Sequence, residues 1–137
     1  MGYNILIVDD SVIARSVIGK AAVLSDVGTG KIFNASNGAE ALEILRDNWI
    51  DIVFCDINMP VMSGVEMIER MAEDGVTGSV PVVVVSSDGC LSKINRLKEL
   101  GVREYIRKPF TPEEIGAALR RLLSDGAADA GMGGGKQ

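Results

Sequence analysis

Three apolar runs in this chain end in groups that a buried strand has no use for. Residues 5–8, Ile-Leu-Ile-Val, stop at Asp9-Asp10; residues 52–55, Ile-Val-Phe-Cys, stop at Asp56; the four valines at 82–85 stop at Ser86-Ser87-Asp88. A fourth, brief run, Glu104-Tyr105-Ile106, is followed at once by Arg107-Lys108-Pro109-Phe110. A carboxylate at the end of an apolar run is expensive to bury unless a cation, a hydrogen-bond donor or a proton compensates it. Three carboxylates brought together repel one another, so they hold either protons or a cation. The hard divalent cation that suits oxygen ligands, retained waters and a phosphate is magnesium. Beside such an ion one Asp remains free as a nucleophile that can attack a phosphoryl group and become an aspartyl phosphate. The metal and a nearby lysine would neutralise the developing charge. Lys108 and the Ser86 hydroxyl are the residue types needed for the other phosphoryl oxygens. Each group has an ordinary alternative when taken singly: Asp9 and Ser11 as a helix cap, Asp56 as the cap of a turn, Ser86 as a strand-end hydroxyl, Lys108 as a solvated cation. The ordered set of acidic pair, single Asp, Ser and Lys-Pro is far more specific than any member.

These groups meet only if the runs that carry them lie side by side. After the first run Ser11 is a good helix cap, and Val12, Ile13, Ser16, Val17, Lys20 and Ala21 form a mixed stripe expected to lie on a sheet. Residues 26–30, with two glycines, break that helix, and the more polar residues 31–35 suit an edge strand. Asn37 and Glu40 have capping-box spacing before an apolar face of Ala41, Leu42, Ile44 and Leu45 that lasts to about Asn48. Residues 59–64 read as a loop in which Gly64 serves a turn needing positive φ. A helix follows over 65–73, with Val65, Ile68, Met71 and Ala72 inward, closed by residues 75–79. Beyond the valine run, residues 90–100 are helical, with Leu91, Ile94, Leu97 and Leu100 on one face and Lys93, Arg96, Lys98 and Glu99 on the other, until Gly101. Thr111-Pro112-Glu113-Glu114 is the clearest helix start, and its helix runs through Ile115, Leu119, Leu122 and Leu123 to Gly126. Residues 127–137 are rich in Gly and Ala with almost no core-forming residue, and are expected to be disordered.

Five strands alternating with five helices imply an α/β fold, a parallel sheet covered on both faces. In such folds ligands bind beyond the carboxyl ends of the strands, where the strand order reverses. That rule places Asp9, Asp10, Asp56, Ser86 and Lys108 on one rim. The 137 residues, 47% hydrophobic, suit one domain with a sizeable core. A net charge of −5 and the lack of a basic patch disfavour nucleic acid as a partner. No basic leader or long apolar segment is present, so a cytoplasmic protein is expected, without a membrane span. Cys55 and Cys90 form no metal-ligand spacing and no disulfide framework. The absence of histidine removes Ser-His-Asp triads, Cys-His pairs and histidine-bound zinc, and means that the chain cannot carry phosphate on a histidine of its own.

From residue 4 to about residue 124 the sequence resembles response-regulator receiver domains, and its layout is similar to that of the single-domain CheY-like proteins of bacterial chemotaxis. The matching segments are Val-Asp-Asp-Ser at 8–11, Asp-Ile-Asn-Met-Pro at 56–60 with Gly64, Val-Val-Ser-Ser at 84–87, and Tyr-Ile-Arg-Lys-Pro-Phe at 105–110. The resemblance implies a doubly wound, flavodoxin-like (βα)5 sheet of strand order 2-1-3-4-5, with the receiver domain over 1–125 and a tail or linker over 126–137. It implies that Asp56 takes phosphate from a partner histidine kinase. Asp10 would touch magnesium directly and Asp9 mainly through water, with Asp56 and the backbone carbonyl of Asn58 as further ligands; manganese could substitute. Ser86 would reorient towards the phosphoryl group, Lys108 would pair with it, and Lys108-Pro109 would be cis. Tyr105 would turn from exposed to buried, reshaping the face of the fourth helix, fifth strand and fifth helix, although an aromatic on a strand edge most often serves packing. Asn58 and Asp88 stand where the family tunes loss of the phosphate to water, and polar side chains there favour a short-lived state. The implied targets are a flagellar motor switch protein or a phosphorelay member, and the chain is a switch, not an enzyme beyond its own phosphotransfer and dephosphorylation.

Three rivals are weighed against this reading. A phosphatase of the haloacid dehalogenase type also uses Asp, magnesium and Lys, but wants a second Asp where Asn58 stands. A flavodoxin-like cofactor binder needs a phosphate-cradling loop where Asp9-Asp10-Ser11 would repel phosphate. The chain could also be one piece of a longer regulator with an output domain after Gly126, since the glycine-rich end suits a linker.

Overall fold

The computed structural model describes residues 2–124; the expected domain boundary at 125 and tail at 126–137 lie outside the described residues. Five strands, β1 (Tyr3–Val8), β2 (Thr29–Ala35), β3 (Ile52–Cys55), β4 (Val82–Ser86) and β5 (Glu104–Arg107), form one parallel sheet in the order β2-β1-β3-β4-β5. Between and after them run α1 (Val12–Leu24), α2 (Gly38–Asp47), α3 (Gly64–Glu73), α4 (Leu91–Glu99) and α5 (Pro112–Leu119), with a short 3-10 turn at Val76–Gly78. The chain leaves β1 for β2 on one side and then crosses to β3 on the other. The crevice of the fold therefore opens above the ends of β1 and β3.

Strand alternation divides the core into two layers. Ile5, Ile7, Ile52, Phe54, Val83 and Val85 face α1 and α5, whose Ile18, Ala22, Ile115, Ala118 and Leu119 meet them. Leu6, Val8, Val53, Cys55, Val82 and Val84 face the other way, against Ala41, Met67, Ile68, Met71 and Leu97. The central strands are buried on both faces, which is why they read as unbroken apolar runs. At the opposite end of the sheet from the crevice, the loop into β3 is pinned by Asp51, which accepts from the Asn4 backbone at 2.7 Å and from the Trp49 indole at 2.9 Å. Trp49 itself stays 78% exposed.

Several local expectations need correction. The stripe proposed for α1 faces outward: Val12, Ile13, Ser16, Val17 and Lys20 are exposed, and of that set only Ala21 is buried, beside Ile18 and Ala22. Asn37 caps α2 by accepting from Glu40, but the Glu40 carboxylate returns to Ser36 rather than to the cap residue, so the box is only half formed. In α3 the inward residues are Met67, Ile68 and Met71, with Val65 and Ala72 half-buried. Leu91 is 73% exposed because the first turn of α4 stands clear of the sheet, and Leu97 alone is fully buried there. The last helix passes from α5 into a wider π-helical turn over Arg120–Ser124. The complete capping box of Thr111 and Glu114 is present as expected.

Candidate functional site

The backbone ladder sets the rim. Asp9 donates its N–H to Ala35 at 3.0 Å, Asp56 to Val8 at 2.9 Å, and Lys108 to Ser86 at 3.0 Å, so each polar residue continues its strand one step past the apolar run. Asp9 and Asp56 thus end adjacent strands, and Lys108 stands beside Ser86. The Lys108 ammonium reaches across to Asp9 Oδ2 at 2.8 Å and Asp56 Oδ2 at 3.1 Å. One carboxylate oxygen from each of Asp9, Asp10 and Asp56 lies within 4.8 Å of the others. Burial pushes the Lys108 ammonium down, but its hydrogen bonds to Asp9 and Asp56 and their charges outweigh that, so its pKa is raised above the ordinary lysine value.

The three carboxylates differ in what they have left to offer. Asp9 is 1% exposed and has both oxygens engaged, Oδ1 by the Ser11 N–H at 2.9 Å and Oδ2 by Lys108, while its carbonyl accepts from the Arg15 guanidinium. Asp56 Oδ1 accepts from the Ile57 N–H at 2.7 Å. Asp10 is exposed and has no side-chain hydrogen bond among the described residues. Three carboxylates against one ammonium leave two negative charges, which a divalent cation with oxygen ligands would cancel. The donor set therefore fits magnesium, with Asp10 the least encumbered ligand.

The loop after β3 is held by close backbone approaches. Gly64 donates to the Ile57 carbonyl at 2.7 Å, and a Cβ on Gly64 would lie 2.0 Å from the Asp56 carbonyl oxygen. Gly64 is not in the left-handed region, so its role is to admit that carbonyl, not to supply positive φ. The residue that does carry positive φ in this loop is Val61, at 66°. Ser63 caps α3 by accepting from Glu66, and Gly38 at the start of α2 donates to the Met62 carbonyl at 3.0 Å. Lys108-Pro109 is cis.

On the β4 side, Ser86 is buried and its Oγ accepts from the Asp88 N–H at 3.2 Å. Tyr105 is half-buried, and its hydroxyl donates to the Asp88 carbonyl. Burial, opposed by a hydrogen bond with Ser86, raises the Tyr105 pKa. Asp88 Oδ1 accepts from the Cys90 N–H at 2.9 Å, and Oδ2 accepts from Lys93 Nζ at 2.8 Å and from Asn58 Nδ2 at 3.2 Å. These bonds, Lys93 foremost, hold the Asp88 carboxyl down at a pKa of about 2. The rim thus brings together Asp9, Asp10, Asp56 and Lys108, and beside them a second set of Ser86, Asp88, Tyr105 and Asn58. Sequence reasoning missed Lys93, which it assigned to a solvated face, and Arg15. An acid just ahead of a helix with a lysine in its first turn is a signal that could have found Lys93; nothing local marks Arg15.

A doubly wound parallel sheet with an acidic crevice, a strand-end Ser and a Lys-Pro bridging two carboxylates defines a signalling receiver, and the chain belongs to the response regulator receiver domain family, whose model matches residues 5–120. The Chemotaxis protein CheY homolog of Campylobacter jejuni is 29% identical over 127 residues, 92% of this chain and 96% of that protein. The Phosphate regulon transcriptional regulatory protein PhoB of Pseudomonas aeruginosa is 31% identical over 125 residues, 90% of this chain but 52% of PhoB. Among solved structures, the chemotaxis response regulator CheY4 of Vibrio cholerae superposes with a TM-score of 0.79 at 28% identity, covering 90% of this chain and 100% of that one. Receiver domains take phosphate from histidine kinases and act on downstream partners; they are signalling proteins of two-component systems and not classical enzymes. Among the described residues no helix is long and apolar enough to cross a membrane.

Proposed function

We propose that Asp56 accepts a phosphoryl group from the phosphohistidine of a partner kinase, and that the modified chain signals from the cytoplasm by binding a protein target, in chemotaxis. The observation that carries this reading is the Lys108 ammonium shared between Asp9 and Asp56 beside a third, unencumbered carboxylate. In the transfer an Asp56 oxygen forms the new bond to phosphorus, and the bond from phosphorus to the imidazole nitrogen breaks, with its electron pair leaving on nitrogen. Lys108 is already aimed at Asp56 and takes charge that develops on the phosphoryl oxygens. Asp9, Asp10, Asp56 and the Asn58 backbone carbonyl would hold magnesium, which when bound neutralises that charge further. Ser86 gives up the Asp88 N–H to donate to a phosphoryl oxygen. Tyr105, bonded to the Asp88 carbonyl, follows that change and alters the surface of α4, β5 and α5, where a motor switch protein or a phosphorelay member would dock. Asn58 and Asp88 tune how fast water removes the group.

Full-length similarity to a chemotaxis CheY homolog supports the output proposed here. A second reading, a receiver belonging to a longer regulator, is supported by PhoB, of which the chain matches about half. The test of the switch is intact mass after incubation with magnesium and acetyl phosphate, beside a metal-free sample and Asp56→Asn. A single phosphoryl gain that needs the metal and vanishes in Asp56→Asn is expected. A gain that persists in that variant would move the acceptor elsewhere, and sustained turnover of phosphoesters would sink the receiver mechanism.

A further inference from the structure

We propose that Lys93 is a positioning residue that prolongs the phosphoryl state by keeping the Asp88 carboxylate closed to water. The inference rests on Asp56 being the acceptor. Loss of the group is attack of a water oxygen on phosphorus: the bond to Asp56 breaks, its electron pair returns to the carboxylate, and both water protons leave with the product as dihydrogen phosphate. A neutral water attacks faster when an acceptor orients it. Asp56 itself carries the phosphoryl group in that state, Asp9 has its two oxygens engaged by the Ser11 N–H and Lys108, and Asp10 belongs to the cation. The next carboxylate along the rim is that of Asp88, tied to the loop after β3 through Asn58.

Its Oδ2, the oxygen on the Asn58 side, has nothing left to give. A carboxylate oxygen accepts about two hydrogen bonds. Oδ2 has both, from Lys93 at 2.8 Å and Asn58 at 3.2 Å, and Oδ1 holds the Cys90 N–H at 2.9 Å. Lys93 is the third residue of α4, so its ammonium is delivered by a rigid element, while Asn58 and Asp88 sit on the loops after β3 and β4. Polar side chains at positions 58 and 88 therefore delay hydrolysis in this protein instead of hastening it, because they are spent on each other and on Lys93. Withdrawing Lys93 leaves Oδ2 an unused acceptor facing the gap between the two loops, where it can hold a water.

The experiment follows the decay of the phosphorylated full chain by intact mass after desalting away acetyl phosphate, with magnesium present throughout. Lys93→Ala is expected to shorten the lifetime by about three- to tenfold, a fraction of what positioned acid–base groups supply. Lys93→Arg, which keeps the ion pair, is expected to retain the wild-type lifetime. The double variant Lys93→Ala/Asp88→Ala is expected to regain slow decay, because the freed carboxylate is the agent, and a merely structural role for Lys93 would not be reversed in this way. A Lys93→Ala lifetime equal to or longer than wild type overturns the proposal, as does a double variant that decays as fast as the single one. Failure of the wild type to gain any phosphoryl group is a separate result that overturns the receiver mechanism and this inference with it.

Discussion

Gly64 leaves the loop after β3 no room for a side chain. Its ideal Cβ would stand 2.0 Å from the Asp56 carbonyl oxygen and 2.9 Å from the Ile57 Cα, and both are backbone atoms with nowhere to yield. Gly64→Ala should therefore destabilise the fold by about 3 kcal/mol, read as a lower urea midpoint at unchanged slope. A midpoint equal to wild type would mean that the loop relaxes freely. At this scale the rim was legible: Asp9, Asp10, Asp56, Ser86 and Lys108 announce themselves as polar groups ending apolar runs. What escaped was the pairing. Nothing in residue types says that Asn58 and Asp88 will spend their hydrogen bonds on each other, and Lys93 looks like any solvated lysine until its carboxylate partner is seen. The two cysteines divide in the same way by environment: Cys55 is buried with its pKa raised by burial, while Cys90 is exposed with its pKa lowered by the Ser92 hydroxyl.

Among the elements, the central strands and the capped helices followed directly from their sequences, and α1 did not. Val12-Ile13-Ala14-Arg15-Ser16-Val17-Ile18 continues into Gly19-Lys20-Ala21-Ala22-Val23-Leu24, apolar or small almost all round, so no single face stands out by period. The structure settles the choice with Ile18 and the close-packed Ala21 and Ala22, which let α1 approach the sheet and α5, and leaves Val12, Ile13, Val17 and Val23 outside. The same tension appears in the loop between β3 and α3. Val61 carries a φ of 66°, a region that costs a β-branched residue dearly, yet its side chain is 82% exposed and earns little packing in return. Val61→Gly should stabilise the protein by about 1 kcal/mol, the relief of strain less the extra freedom of the unfolded chain. Thermal melting of the variant checks this, and a lower melting temperature would show that the loop gains more from the valine than its conformation costs.

For the molecule as a whole, alternation of strand and helix was enough to predict a covered parallel sheet, but the order of its strands was not. That order entered through the family resemblance, because nothing in hydrophobic periodicity says that β1 lies between β2 and β3. It is nonetheless what gathers the acids at one end. The opposite end has its own marker, since Trp49 sits before β3 while Asp56 follows it, and at about 3.3 Å per residue the two are roughly 20 Å apart. Trp49 is the sole tryptophan of the chain, and its indole is anchored on Asp51, away from every group that a metal or a phosphoryl would touch. Intrinsic fluorescence should therefore be blind to the switch: emission is expected to stay constant when magnesium and acetyl phosphate are added, and to change only as urea unfolds the chain. A change on phosphorylation alone would mean that the signal travels the length of the sheet. With a constant signal, one optical channel reads folding without interference from signalling, and a dye placed at the exposed Cys90 thiol beside the crevice can read the other.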